Sequence, residues 1–241
     1  MLTLADPRIR DIELKEGAAP FVDLASFSQL ISVDVSRKLI SSRSEYFLWV
    51  REPVAARLLT ASVALPGQFR LLVTEGYRPL AQQRASFARS AAELRDAHPE
   101  LDEDAIFDRA STYVAPPDVA AHPTGAAVDL MLVNLDGSAA DMGSMLNAND
   151  AESSGCCYTG SRFISRTAAA NRRILECAMM SAGFVNYPSE WWHWSYGDRY
   201  WAAVTGQPNA LFGPVEEMEL KASVSVSGSD CRLHKSANSG P

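Results

Sequence analysis

The segment AAVDLMLV, residues 126–133, constrains this chain more than any other. It is an apolar run of the length of a buried strand, and it carries one carboxylate, Asp129. A carboxylate buried without a partner costs several kcal/mol. The fold therefore has to bring Asp129 a metal cation, an arginine or a hydrogen-bond network. Just upstream, His122-Pro123-Thr124-Gly125 places a histidine seven positions before Asp129, with a turn between them. Ala126 and Ala127 have little bulk, so the strand can lie close to its neighbours.

The rest of the chain supplies elements to surround that strand. Residues 1–25 read as an extended polar lead-in, and Gln29 to Val35 alternates in the manner of a strand. Pro53 fits the first turn of a helix that ends at Pro66–Gly67. Phe69 to Thr74 is a short apolar run, and Glu75-Gly76-Tyr77-Arg78-Pro79 turns it into a helix over Leu80 to about Leu94. Further helices are predicted over Glu103–Ser111 and Thr167–Ser181, the latter closed by Gly183. Phe184–Tyr187 and Trp191–Trp194 read as strand and turn. Residues 134–165, rich in Gly, Ser, Asp and Asn, form a long loop of the sort that covers a site. This order predicts an α+β fold with a small central antiparallel sheet flanked by helices. Residues 1–220 are expected to form a single catalytic domain, and the serine-rich residues 221–241 a flexible tail.

Composition narrows the function. Lys+Arg 22 against Asp+Glu 29 gives a net charge of −7, which excludes a general nucleic-acid binder and an electrostatic membrane binder. There is no apolar run of about 18 residues to span a membrane. The first residues carry acids early, so no signal peptide and a cytoplasmic location are expected. Four cysteines, Cys156, Cys157, Cys177 and Cys231, make no C-x-x-C pair, and reduced thiols are expected. The Cys156–Cys157 pair reads as part of a surface loop, and Cys231-x-x-His234 lacks a second pair of ligands. His98 and His234 read as solvated.

A second constellation stands far along the chain: Glu190-Trp191-Trp192-His193-Trp194, with Glu190 and His193 three apart. Two histidines and an aspartate plus one open position is a donor set that catalytic zinc uses. A nearby glutamate outside that set can take a proton from water. Each piece has a plainer reading on its own. A His–Asp pair serves as a structural hydrogen bond, a tryptophan cluster as core, and Arg78 as a salt-bridge residue.

Together the pieces resemble the zinc D-alanyl-D-alanine dipeptidases of the vancomycin-resistance type, within peptidase family M15. The family pattern S-x-H-x-x-G-x-A-x-D is similar to Ala120-x-His122-x-x-Gly125-x-Ala127-x-Asp129, and E-x-W-H to Glu190-x-Trp192-His193. Glu75 to Gln83, EGYRPLAQQ, is similar to the segment carrying the family's essential arginine. Asp136-Gly137, Asp141-Met142-Gly143, Asn171-Arg172-Arg173 and Gly183-Phe184 match as well, so the resemblance spans roughly residues 20–205. It implies a fold like that of these peptidases, one Zn²⁺ per chain held by His122, Asp129 and His193, Glu190 as general base and then acid, and Arg78 as the group that stabilises the tetrahedral oxyanion. It implies a small dipeptide as substrate. One departure is Ala120, where the family has a serine whose hydroxyl helps hold the dipeptide; its loss removes a hydrogen bond worth roughly 0.5–1.5 kcal/mol. Two rival readings are a D,D-carboxypeptidase acting on cell-wall stem peptides, and a zinc-binding module without catalysis. The retained Glu190 counts against the second.

Overall fold

The structure is a computed structural model that describes residues 2–15, 17, 19–37 and 44–224. The chain enters through a short helix α1 (Pro7–Arg10), β1 (Glu13–Leu14), β2 (Phe21–Asp23), α2 (Leu24–Phe27) and β3 (Ile31–Val33). It continues through β4 (Trp49–Arg51), α3 (Glu52–Ala64), β5 (Phe69–Glu75), α4 (Leu80–Ala97) and α5 (Glu103–Tyr113). Then come β6 (Ala127–Asn134), a single turn α6 (Asp150–Ser153), α7 (Arg166–Ser181), β7 (Val185–Asn186), β8 (His193–Ser195), α8 (Arg199–Thr205) and β9 (Asn209–Ala210). Residues 217–224 are also helical.

A five-stranded sheet in the order β3-β5-β6-β8-β7 forms the centre. All its pairs are antiparallel except β3 with β5. The α+β expectation and the small central sheet hold, with one parallel edge pair. The apolar run of β6 lies between β5 and β8, which explains why it alternates so little: a strand with neighbours on both edges and layers on both faces is buried throughout. Leu71, Leu130 and Leu132 of the sheet, Leu58 of α3, and Leu175 and Met179 of α7 make one core.

Two parts of the chain depart from expectation. The N-terminal lead-in, expected to be extended and polar, is partly helical and packed: Asp6 caps α1, Ile9 is fully buried, and β1 pairs in parallel with β9. Its few apolar residues fall at positions that bury against α8, which a count of polar residues does not reveal. The 134–165 segment is stapled to α7 rather than spread over the site. The Asn171 side chain donates to the Asp141 carbonyl at 2.8 Å, and the buried Arg172 donates to the carbonyls of Met142, Cys156 and Tyr158 at 2.7, 2.6 and 2.6 Å. Cys157 is correspondingly buried in the core rather than on a surface loop. Of the tail read from residue 221, residues 221–224 continue a helix; 225–241, with Cys231 and His234, lie outside the described residues.

Candidate metal centre

The sheet register builds the site. Asp129 on β6 stands opposite His193 on β8 and, on its other side, opposite Glu75 on β5. A register shift between Val73 and Glu75 makes the second pairing possible. The extra residue, Thr74, drops out of the pairing and donates its hydroxyl to the Asp129 carbonyl at 3.0 Å. Three chemistry-bearing residues thus share one row across three strands.

His122 reaches the same row from a 3-10 turn, His122–Thr124. Gly125 ends that turn in the left-handed region at φ 70°, and a side chain there would meet the Phe21 ring, 2.2 Å from the Cβ position. Only glycine closes this turn against β2. The Gly125 carbonyl accepts from Arg51 N–H at 2.9 Å and the Thr124 carbonyl from Arg51 Nε at 3.0 Å, which ties the turn to β4.

The donor geometry fits a small divalent cation. The Gly76 carbonyl can only accept, so at 2.7 Å from His122 Nδ1 it fixes the proton on that nitrogen and leaves the lone pair of Nε2 facing Asp129, free to ligate a cation. His122 Nε2 lies 3.4 Å and His193 Nδ1 3.0 Å from the same oxygen, Asp129 Oδ1. One donor atom of each of the three residues lies within 4.8 Å of the others. Tetrahedral zinc with bonds near 2.1 Å sets its ligands roughly 3.4 Å apart. The set is two imidazoles and one carboxylate, acceptable to zinc without a thiolate.

Electrostatics follow from burial. Burial opposes ionisation of Asp129, but His122 and then His193 outweigh it and hold the carboxyl far below its usual range. Burial likewise works against a charged His193, and the hydrogen bond and charge of Asp129 reverse the balance, raising it. Glu190 is raised, first by burial and then by the Asp129 charge, with His193, His122 and Arg78 pulling the other way.

Arg78 lies just after β5. Its Nε and Nη2 donate to the two oxygens of Glu75 at 2.8 and 2.9 Å, and Nη1 donates to Gln83 Oε1 at 3.1 Å. Gln83 in turn donates to the Ala115 carbonyl at 2.7 Å. Arg78, His122, Asp129, Glu190 and His193 all line one cavity of about 840 Å³. All five candidate residues therefore meet in one place. Sequence reading missed Glu75 and Gln83, which fix Arg78. The available signal was a lone carboxylate ending the apolar run FRLLVTE, the same anomaly that marked Asp129. The cavity walls come largely from α4, α5 and residues 114–121, and the 134–165 segment contributes Asn147. His98 stays at the surface beside Glu100.

Residues 35–207 match the family profile described as D-ala-D-ala dipeptidase, Peptidase_M15. The chain is 31% identical over 182 residues to a D-alanyl-D-alanine dipeptidase of Synechocystis, covering 66% of this chain and 73% of that protein. It is 37% identical over 136 residues to the Streptomyces coelicolor dipeptidase of the same name, 53% of this chain and 62% of that one. With the Enterococcus faecium dipeptidase it shares 31% over 166 residues, 66% of this chain and 75% of that one. A solved LD-carboxypeptidase structure, LdcB, aligns at 19% identity with a TM-score of 0.43 over 87% of this chain and 78% of that one. That likeness is too slight to argue from.

Proposed function

Because the chain belongs to the M15 peptidase family of D-Ala-D-Ala dipeptidases, we propose that it is a zinc-dependent dipeptidase that hydrolyses D-alanyl-D-alanine or a similar small D,D-dipeptide. The observation that carries this reading is the meeting of His122, Asp129 and His193 with Glu190 and Arg78 on one cavity.

In this reading His122, Asp129 and His193 hold one zinc ion, which supplies Lewis-acid chemistry when bound. Glu190 takes a proton from the attacking water and gives it to the departing amine. Its raised affinity for a proton suits both halves of that task. Arg78 presents a fixed positive charge to the oxygen of the scissile carbonyl as it becomes negative. Three of its five N–H donors are engaged by Glu75 and Gln83, so its position is set before substrate arrives. Ala120 borders the cavity without a hydroxyl. Such an activity either depletes a cell-wall precursor or recycles wall-derived dipeptides.

The test is metal analysis of the purified protein together with a panel of D,D-, L,D- and L,L-dipeptides and a pentapeptide stem, with amine release followed with and without chelator. The expected result is about one zinc per chain and chelator-sensitive release from the D,D-dipeptides. Faster cleavage of the stem would replace the reading by a D,D-carboxypeptidase. Zinc without turnover would leave a binding module.

A further inference from the structure

The cavity of about 840 Å³ lies near the top of the range for small-molecule sites, roughly 300–1,000 Å³. A dipeptide bearing two methyl groups leaves much of it unfilled. One wall is apolar. Leu4, Val119, Tyr187 and Tyr200 line the cavity there, and the last three share a buried cluster against which Leu4 packs. This wall begins at the candidate ligand itself: the Tyr187 ring lies 6.3 Å from that of His193 and 5.3 Å from that of Tyr200. Ala120 borders the same cavity and brings no polar atom in its side chain.

Leu4 comes from the N-terminal arm, which is held in place on its own account. β1 pairs with β9, and Arg199 Nε donates to the Ile12 carbonyl at 3.0 Å. The arm precedes residues 35–207, the span that matches the family profile. The wall is thus completed by a segment that lies outside the matched span, while Val119 and Ala120 lie within it.

We propose that Leu4, Val119 and Tyr200 form a specificity subsite that receives an apolar side chain larger than methyl on one residue of the dipeptide. The proposal rests on the dipeptidase reading and sharpens its substrate. A methylene in an apolar pocket is worth roughly tenfold or more in kcat/KM. A leucyl side chain seated on this wall is therefore expected to give at least about a tenfold preference over alanine.

The experiment measures kcat and KM of the zinc-loaded full chain on D-Ala-D-Ala, D-Leu-D-Ala and D-Ala-D-Leu, then repeats it with Leu4→Ser and Leu4→Met. One of the two leucine dipeptides should be preferred about tenfold or more, mostly through KM. Leu4→Ser should reduce that ratio several-fold, and Leu4→Met should keep it. A merely structural role for the arm would lower all three substrates together and leave the ratio intact, which overturns the subsite. So does equal or poorer cleavage of both leucine dipeptides. Absence of turnover on all three substrates refutes the dipeptidase reading, and the subsite with it.

Discussion

Glu75 and Asp129 stand opposite each other on neighbouring strands, and each gathers the partners of its own half of the cavity. Glu75 holds Arg78 through both oxygens, while Asp129 faces His122 and His193 through one. The two carboxylates are 1% and 2% exposed, so neither could persist without those partners. The pairing sets the distance between the group that would bind metal and the group that would meet the oxyanion.

Arg78→Lys keeps a charge and loses the fork that grips Glu75. We expect kcat to fall about 10²–10³-fold, the cost of one oxyanion donor, with zinc content retained. Glu75→Gln should lower kcat less and destabilise the fold, since it weakens a buried ion pair. Steady-state kinetics beside thermal melts separate the two effects. An Arg78→Lys enzyme with wild-type kcat would remove Arg78 from its assigned role.

Glu190 must be ionised to accept a proton, and its affinity for protons is raised by burial. Activity is therefore present above that raised pKa and is lost as pH falls through it. The acid limb of kcat/KM is expected above the ordinary carboxylate range, with zinc content constant across it. Glu190→Gln should keep zinc and reduce turnover by at least about 10²-fold.

Gly125→Ala forces an alanine into the left-handed region and its Cβ into the Phe21 ring. The backbone penalty alone is roughly 1–2 kcal/mol, and the displaced turn carries His122. A melting temperature several degrees lower and weaker zinc retention under dialysis are expected. Unchanged zinc affinity would show that His122 is held independently of this turn.

Arg172→Ala removes the charged hydrogen bonds that pin residues 142–159 onto α7. Hydrogen bonds to a charged group contribute roughly 1.5–3 kcal/mol each, so a loss of at least about 3 kcal/mol in denaturant unfolding is expected. Proteolysis of the native protein should then begin within the 142–159 segment.

Much was legible in the chain itself. An aspartate inside AAVDLMLV and a Glu-x-x-His run among tryptophans are local anomalies, and each announces a cost that some partner must offset. Helix α3 with Pro53 in its first turn and α7 followed by Gly183 at φ 87° are equally local, because caps and breakers act within a turn of where they stand. What only the tertiary structure decided is which charges meet. The skipped residue at Thr74 turns Glu75 rather than its neighbour toward Asp129, and strand pairing brings His193 to a residue 64 positions earlier. The arm that places Leu4 against the cavity reads in sequence only as an extended polar lead-in, because its anchors, β9 and Arg199, lie nearly two hundred residues away. Register and long-range docking follow from the packing of the whole core, and no window of sequence contains it.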